Sequence, residues 1–390
     1  MKNTFDCIVV GGGSMGSSTA YQLAKRGQKV LVLEQFDFIH GFGAHGGQSR
    51  LIRKAYFEHP DYVPLLLRAY ENWAQLEKET QQQVYFPTGI LYFGEKGDAL
   101  LESIKNSARI YELPLNVLDT PETKQKYPMF SGVPDDWESI FEPEAGFLLP
   151  EKCVRLYLQE AIKHGATLKA REKVTAWHEK PDGQIAVTTE KATYYAQKII
   201  FTAGAWSEQL MHDLQLPLKV TRQILGWVQP QNWPSFVNGK MPCWAISDKE
   251  KGLYYGMPIL QDEDAGGPLG FKLGCHKHGD IVQPDTVDRN IYEADENTFR
   301  DGLQQYMPAA NGETLSIKTC LYTNTPDENF IIDQHPHYKN VVFACGFSGH
   351  GFKFVSVVGE ILSDLALEDE TQQPIGFLRL RFRGQDIPHE

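Results

Sequence analysis

Short apolar runs that end in glycine or in a polar residue recur along this chain. The first, at residues 7–10, leads into the glycine-rich residues 11–16, and residues 17–26 then suit a helix. A second apolar run, at residues 29–33, ends at Glu34. Because apolar runs bounded by turn residues are typical of buried strands, this order predicts a strand, a glycine turn, a helix and another strand.

The glycine turn has the spacing G-x-G-x-x-G and is a candidate phosphate-binding loop. The first glycine permits the tight bend, the second lets the backbone approach phosphates, and the third lets the helix pack on the strand. The helix N-terminus adds free N–H groups and the positive end of its dipole. A carboxylate about 20 residues further on is placed to hold a ribose hydroxyl. The turn therefore predicts a bound dinucleotide, FAD or NAD, whereas the plainer alternative is a strand-end acid in an ordinary α/β protein. The candidate cofactor-binding residues are Gly11, Gly13, Ser14, Met15, Gly16 and Glu34.

Strand-like and helix-like segments alternate further along the chain. Apolar spacing predicts an amphipathic helix at residues 61–78, and residues 89–94 are predicted to form a strand of a mixed α+β region. The apolar run at residues 198–201 enters small residues, as a strand that returns to a nucleotide-binding sheet would. Residues 340–345 form a third such strand, followed by a second glycine loop and by helical residues 354–367. A substrate domain is therefore predicted to be inserted between the parts of a nucleotide-binding domain.

Composition narrows the class of protein. The chain has 390 residues, 42% hydrophobic and 23% charged, which suits a globular protein with two domains and a large core. No apolar run reaches membrane-spanning length and no secretory leader precedes the first strand, so the cytoplasm is the expected compartment. The net charge of −12 argues against nucleic acid and against an anionic membrane surface as partners.

Six cysteines are scattered without C-x-x-C spacing, which predicts neither a zinc centre nor a disulfide framework. No metal site is expected, and most of the cysteines should be buried as small apolar side chains. Cys320 differs, because residues 318–328 are polar and are predicted to form a loop. A free cysteine in such a loop suggests a chemical role, although an incidental thiol is the alternative.

A cluster of cations follows the second predicted strand. Arg50, Arg53 and Lys54 lie within five residues and are interspersed with Leu51 and Ile52. The apolar neighbours suggest a partly buried segment, and buried cations need anionic partners such as a phosphate, an electron-rich flavin or a substrate carboxylate. A solvated surface is the alternative.

Two lysines are also candidates for buried cations. Lys272 alternates with apolar residues in 270–276 and is predicted to point inward from a strand, although strand lysines are usually exposed. Lys353 stands at the head of the last predicted helix, where a cation is unfavourable unless an anion lies nearby.

The second glycine loop directs a helix N-terminus at whatever lies above the sheet. In a flavoenzyme that position suits the pyrimidine end of the isoalloxazine, where negative charge develops on reduction. The alternative is a glycine-rich turn that closes a domain. The candidate residues of this loop are Gly346, Gly349 and Gly351.

Taken together, these segments resemble the monomeric sarcosine oxidase family of flavin-dependent amine oxidases, whose relatives act on N-methyltryptophan and L-pipecolate. The resemblance extends over nearly the whole chain and rests on five motifs in order. These are residues 11–16, 50–56, 271–274, 320–323 and 346–354.

The resemblance implies FAD as the cofactor, held covalently through a thioether between its 8α-methyl group and Cys320. It implies that Arg53 and Lys353 clamp the substrate carboxylate, since two cations on one carboxylate give charge-assisted hydrogen bonds. Tyr322 and Tyr255 would line the pocket. Arg50 would lie against the flavin, and Lys272 would hold a water near its N5 and assist the reduction of oxygen. The candidate catalytic residues are Lys272, Arg50, His45 and His276.

With FAD as the cofactor, the predicted fold is α/β (α+β overall). It has a Rossmann-like FAD-binding domain with an inserted substrate domain built on a mixed β-sheet. The FAD-binding domain is predicted at residues 1–85, 148–215 and 320–390, and the substrate domain at 86–147 and 216–319.

One motif departs from the sarcosine-oxidising members, which commonly carry two adjacent histidines before the arginine. Here His45 matches the first histidine and Gly46 replaces the second. Residues 48–50 and 322–328 are more similar to the pipecolate-oxidising members, and residues 244–247, expected to wall the pocket, also differ. The motifs therefore predict the redox chemistry better than the substrate.

The predicted function is FAD-dependent oxidation of a secondary N-methyl α-amino acid, with sarcosine as the leading substrate. The imine product would hydrolyse to glycine and formaldehyde, and O₂ would be reduced to H₂O₂. One alternative is an oxidase of a cyclic imino acid such as L-pipecolate or proline. Another is a flavin amine dehydrogenase with a different electron acceptor, or a flavin-binding protein without turnover. The family name favours a monomer.

Overall fold

The glycine turn leads from the first strand of the first large sheet into the first helix. The computed structural model describes residues 3–261, 266–277 and 279–382. In this sheet the first strand pairs in parallel with the second on one side and with the strand that ends at Phe201 on the other. The strands of the sheet are β1 (Thr4–Val10), β2 (Val30–Leu33), β9 (Thr167–Lys169), β10 (Val174–Glu179), β11 (Ile185–Thr189), β12 (Thr193–Phe201), β18 (Ile331–Gln334) and β19 (Val341–Cys345), numbered in chain order.

Both faces of the first sheet are buried, which explains the continuous apolar runs of β1 and β2. Side chains alternate between the faces, so Cys7 and Val9 join one core cluster whereas Ile8 and Val10 join another. Because β1, β2, β12 and β19 run in parallel, their carboxyl ends meet at one edge. In open α/β sheets ligands bind at this edge.

Helices cover one face of the first sheet. The first helix packs against the fifth and the eighth, and Gly359 permits the close crossing, since a β-carbon there would collide with Ser18. The helices are α1 (Ser14–Lys25), α2 (Tyr62–Thr80), α3 (Ala99–Ile110), α4 (Thr120–Lys126), α5 (Pro150–Lys163), α6 (Ser207–Leu210), α7 (Glu293–Tyr306) and α8 (Val355–Glu368). No helix in the described part of the chain is long and apolar enough to cross a membrane.

A second large sheet has mixed pairing in the order β17-β13-β16-β15-β14-β5-β7-β6. Most neighbours are antiparallel, but β5 and β14 are parallel. Its strands are β5 (Ile90–Gly94), β6 (Asn116–Leu118), β7 (Glu138–Glu142), β13 (Lys219–Val228), β14 (Cys243–Asp248), β15 (Gly252–Met257), β16 (Phe271–His276) and β17 (Thr314–Asn324). A small third sheet pairs β3 (Arg50–Ile52) and β4 (Tyr85–Phe86) with β8 (Gly146–Leu148).

These elements confirm the predicted strand, turn, helix and strand at the start of the chain, and the helices expected at residues 61–78 and 354–367. The two sheets draw their strands from interleaved parts of the sequence. The division into domains at the stated boundaries stays a prediction.

The expectation that Cys320 lies in a loop is wrong. Cys320 lies within β17, directly opposite Gln223 of β13. This strand forms the edge of the second sheet and is half-solvated, so its polar positions are typical of an edge strand. The sequence analysis did not predict helix α7, although its acidic first turn, with Glu293, Asp295 and Glu296, is a helix-start signal.

Candidate active site

The glycine turn forms the floor of a cavity of about 1380 Å³ at the carboxyl ends of β1, β2, β12 and β19. Gly11 has a φ of +98°, and a β-carbon there would lie 2.5 Å from the Thr202 carbonyl oxygen. A β-carbon at Gly16 would collide with the Gly11 carbonyl. At Gly13 the nearest atom to such a carbon would be His45 Nδ1, 3.6 Å away. The turn thus has the tight bend and the close helix packing that a phosphate cradle needs.

Helix α1 begins at this turn, and its N-cap residue, Gly13, provides no side chain to bond the first N–H groups of the helix. The first N–H groups of a helix have no partner within the helix, and they attract anions together with the helix dipole. The cradle therefore fits the diphosphate of a dinucleotide.

Glu34 lies buried at the end of β2, in the same cavity. Its carboxylate accepts hydrogen bonds from the backbone N–H groups of Gly12 and Phe36, each at 2.9 Å. Burial alone would raise the pKa of Glu34, but His40 and these two N–H groups hold it below its usual value. The carboxylate is therefore ionised, and its remaining lone pairs can accept ribose hydroxyl groups.

His45 lies at the phosphate cradle, among the residues that line this first cavity. Burial, and then the neighbouring His40, lower the pKa of His45 to about 4, so the imidazole is neutral. Its Nε2 atom has no hydrogen-bond partner among the described residues. The structure thus brings His45 beside Gly13 and leaves it outside the lining of the second cavity.

The second cavity has a volume of about 760 Å³, part of it open to solvent, and is lined by residues of the second sheet and of the loop after β19. Its lining shares four residues with the first cavity, so the two are adjacent. These are Arg50, Tyr322, Gly349 and Phe352. Gly349 has a φ of +77°, and a β-carbon there would collide with the ring of Tyr322. Glycine at this position therefore lets the loop approach β17.

One face of the second sheet supplies most of the second cavity's floor. Directly opposite residues on paired strands share a face, and residues two apart on one strand do as well. The register places Leu225 opposite Gly274, Gly274 opposite Tyr255, and Tyr255 opposite Ala245. Further residues of this face also line the cavity, among them His276, Cys320, Tyr322 and Leu253.

Arg50 is anchored beside Cys320 by backbone carbonyl groups. Its guanidinium donates to the carbonyl oxygens of Ser49 and Ala44 at 2.8 Å and of Gly46 at 2.5 Å. Its Nη2 atom lies 3.8 Å from Cys320 Sγ. Because the carbonyls hold the guanidinium in place, a positive charge lies beside the Cys320 thiol.

Lys272 points inward from β16, as predicted, and is only 2% exposed. Its Nζ atom donates to the carbonyl oxygen of Ser49 and, at 3.3 Å, to Ser49 Oγ. Burial, and then the charge of Arg50, hold the pKa of Lys272 well below its usual value. A nearby anion would stabilise the charged form of this amine.

Arg53 forms a buried ion pair that the sequence analysis missed. Its Nη2 atom donates to both carboxylate oxygens of Glu58, at 2.7 and 2.8 Å. The guanidinium also stacks on the rings of Tyr56 and Phe57, 4.2 and 3.8 Å from their centroids. Burial would raise the pKa of Glu58, but Arg53 and then His350 and Lys353 lower it to about 2. The sequence signal that could have predicted this ion pair is the acidic residue five positions after Arg53, in a segment rich in cations.

Lys353 lies near Arg53, since its Nζ atom is 5.2 Å from the centroid of the same Tyr56 ring. Nζ donates to the carbonyl oxygen of His350 at 2.7 Å. Burial, and then the charge of Arg53, lower the pKa of Lys353 to about 7. Arg53 and Lys353 both line the second cavity, so the structure brings the two candidate carboxylate ligands together.

His350 is a second residue that sequence reasoning missed. Its Nδ1 atom is 2.6 Å from the hydroxyl of Tyr56 and its Nε2 atom is 3.0 Å from the Glu328 carbonyl oxygen. Burial lowers its pKa to about 3. On the opposite wall, His276 Nδ1 is 3.3 Å from the Tyr322 hydroxyl. Of these two tyrosines, Tyr322 lines the second cavity, whereas Tyr56 is fully buried and lies outside the lining.

A phosphate cradle that adjoins a pocket with buried cations is typical of an enzyme that uses a dinucleotide cofactor. Residues 6–365 match the family described as FAD dependent oxidoreductase, and the chain belongs to that family.

Sequence relatives cover almost the whole chain. A monomeric sarcosine oxidase from Bacillus sp. (strain NS-129) is 41% identical over 387 residues, which is 97% of each chain. An N-methyl-L-tryptophan oxidase from Yersinia pestis (strain Pestoides F) is 32% identical over 97% of this chain and 100% of its own. The predicted resemblance, and with it a flavin-dependent amine oxidase, is therefore confirmed.

Solved structures show the same fold. NikD, an amino acid oxidase of nikkomycin biosynthesis, aligns with a TM-score of 0.85 and 24% identity over 97% of both chains. An L-proline dehydrogenase from P. horikoshii aligns with a TM-score of 0.82 and 22% identity, also over 97% of both chains. These likenesses confirm the α/β FAD-binding fold with its mixed second sheet.

Replacing Glu58 by Gln is expected to lower the free energy of unfolding by about 3–5 kcal/mol, because it leaves the buried Arg53 without its counter-charge. Urea-induced unfolding of the purified protein measures the change. The exposed pair between Arg68 and Glu71 provides a matched control, since Glu71→Gln should change stability by less than about 0.5 kcal/mol. Equal effects of the two substitutions would contradict the assigned role of Glu58.

The same variant should differ from the parent in its acid sensitivity. The pKa of Glu58 falls from 4.5 to about 2 on folding, so its contribution to stability is complete above the higher value and disappears as the pH falls through the lower one. The stability difference between parent and Glu58→Gln should therefore shrink as the pH is lowered through this range.

Proposed function

We propose that this enzyme oxidises a secondary N-methyl α-amino acid, with sarcosine as the leading substrate. The imine would hydrolyse to glycine and formaldehyde, and O₂ would be the electron acceptor and yield H₂O₂. The observation that carries the proposal is the pair of buried cations, Arg53 and Lys353, in a cavity that shares walls with the dinucleotide cavity. The names of the sarcosine oxidase and N-methyl-L-tryptophan oxidase relatives support the same class of substrate.

FAD, when bound, supplies the two-electron acceptor for oxidation of the carbon–nitrogen bond. The residues proposed to hold its adenosine diphosphate are those of the glycine turn together with Glu34. The second loop, with Gly346, Gly349 and Gly351, lines the same cavity and is proposed to face the other end of the cofactor.

Arg53 and Lys353 are proposed to orient the substrate through its carboxylate. Two charge-assisted hydrogen-bond donors fix both position and direction, which favours reaction by holding the amine where it must react. Tyr255 and Tyr322 would close the opposite side of the cavity and exclude water from it. A bound carboxylate would also keep Lys353 protonated, since an adjacent anion stabilises the charged amine.

Lys272 is proposed to assist the reduction of O₂. Transfer of one electron to O₂ creates an anion, which a fixed cation stabilises electrostatically. The contacts to Ser49 hold the Nζ atom of Lys272 in place. A monomeric state and a cytoplasmic location belong to the same proposal.

Peroxide production in air tests the function. The purified enzyme is expected to release H₂O₂ with sarcosine, measured beside N-methyl-L-tryptophan, L-pipecolate and L-proline in a coupled peroxidase assay. If only the cyclic imino acids give peroxide, the assigned substrate changes from sarcosine to a cyclic imino acid. Reduction of an artificial electron acceptor without peroxide would indicate a dehydrogenase, and no turnover of any secondary amine would overturn the proposal.

Cys320 is proposed to carry FAD through a thioether at the 8α-methyl group. Cys320 is 4% exposed, its Sγ atom lies 3.8 Å from the guanidinium of Arg50, and it lines the cavity that adjoins the dinucleotide cavity. Acid-precipitated parent protein should therefore stay yellow, whereas Cys320→Ala should release its flavin into the supernatant. Cys345→Ala, in β19 and buried in the other sheet, is the matched control and should keep the colour in the pellet. Release of flavin from the parent would overturn the covalent link.

Carboxylate binding should depend on pH through Lys353. Its pKa is about 7 in the free site, so above that pH a carboxylate must bind together with a proton. The Kd of methoxyacetate, in which an ether oxygen replaces the sarcosine nitrogen, should thus rise by up to about tenfold per pH unit. Perturbation of the flavin absorbance measures the Kd. Lys353→Met should weaken binding at pH 6 and abolish this pH dependence, and an unchanged slope in that variant would contradict the assignment.

A further inference from the structure

The second cavity has an apolar wall that sarcosine would leave uncovered. Its half-buried members are Leu51, Phe57, Leu253 and Tyr255, which belong to one hydrophobic cluster of the second and third sheets. The floor below them is formed by Ile90, Tyr92 and Ala245 of the same cluster. Interior apolar side chains are normally covered by neighbours, so half-covered ones inside a cavity offer a surface to a ligand.

The cavity floor is lined at Ala245 by a short side chain. This residue on β14 lies directly opposite Tyr92 of β5 and Tyr255 of β15, so the three share one face. Tyr92 directs its hydroxyl away from β14, towards Glu142 of β7 at 3.4 Å. Tyr255 leans the other way, since its hydroxyl oxygen would lie 3.0 Å from a β-carbon at Gly274 of β16. Neither tyrosine tip extends over Ala245, where a larger side chain would fill the space between them.

The cationic and apolar parts of the cavity meet at Phe57. The guanidinium of Arg53 lies 3.8 Å from the centroid of the Phe57 ring, and the same ring lines the cavity. Leu51 is two residues before Arg53 in the chain. A carboxylate bound to Arg53 would therefore bring the adjoining carbon atoms of the same molecule within reach of Phe57 and Leu51.

We infer that this wall, formed by Leu51, Phe57, Leu253 and Tyr255 above Ala245, is a subsite for an apolar ring or side chain of the substrate. The inference rests on the proposed function and makes it more specific. Secondary amino acids that carry such a group bind more tightly than sarcosine, because they cover apolar surface that sarcosine leaves in contact with water.

Two carboxylates that are not amines test the subsite by binding alone. Methoxyacetate has the skeleton of sarcosine and tetrahydropyran-2-carboxylate has that of pipecolate, each with oxygen in place of nitrogen. The Kd of each is measured on the holoenzyme from the change in flavin absorbance. The ring compound is expected to bind at least about tenfold more tightly, since a methylene in an apolar pocket is worth about tenfold or more.

Leu253→Asn should reduce this Kd ratio at least about fivefold, because a polar side chain would replace part of the wall. Ala245→Val should also reduce the Kd ratio, because the larger side chain would fill part of the subsite. This substitution provides a second variant if Leu253→Asn does not fold. The control is Leu67→Asn, the same change at a residue of α2 that is 38% exposed and outside the cavity lining. It should leave the ratio unchanged.

The outcomes separate the subsite from the proposed function. A ratio near one in the parent, or a ratio that neither Leu253→Asn nor Ala245→Val lowers, overturns the subsite and leaves the carboxylate clamp in place. Failure of both carboxylates to perturb the flavin overturns the clamp, and the subsite with it.

Discussion

Burial of positive charge is the constraint on which the structure of this site depends. Arg53, Lys272 and Lys353 lie in the interior of a protein whose net charge is −12. A buried cation without partners is costly, and here each has its own: the Glu58 carboxylate, the Ser49 oxygens and the His350 carbonyl. Because Glu58 is the only one of these partners with a full negative charge, an anion that enters the site would stabilise the charged forms of Lys272 and Lys353.

These contacts also explain why the site needs both large sheets. The partners of the cations come from the segment around β3 and from the loop after β19, whereas the tyrosines and Cys320 come from one face of the second sheet. Arg50 links the two groups, since it is held by carbonyls of residues 44–49 and reaches Cys320 Sγ. A shift of one residue in the register of β17 would turn Cys320 and Tyr322 to the opposite face.

The sequence allowed prediction of those features that depend on local pattern. The strand, glycine turn and helix at residues 7–26 follow from consecutive residues, and so does the inward orientation of Lys272 between apolar neighbours. Glu58, His350 and Ala245 were not predicted as site residues, because their positions depend on loops and strand pairings between distant parts of the chain. Cys320 was misassigned to a loop for a related reason, since an edge strand carries polar residues that resemble a loop in sequence.

The pairing of Arg53 with Glu58 has a consequence for how an anion is selected. A substrate carboxylate that approaches Arg53 meets a guanidinium already bonded to both oxygens of Glu58, so it gains less from Arg53 than from an unpaired cation. Lys353 bears no such carboxylate bond and is close to its neutral form, which makes it the cation that responds to the ligand. Arg53 thus supplies a constant charge and direction, whereas the protonation of Lys353 couples carboxylate binding to pH. A neutral amine without a carboxylate would form an ion pair with neither Arg53 nor Lys353. Such a ligand would contact only the apolar wall and would bind weakly.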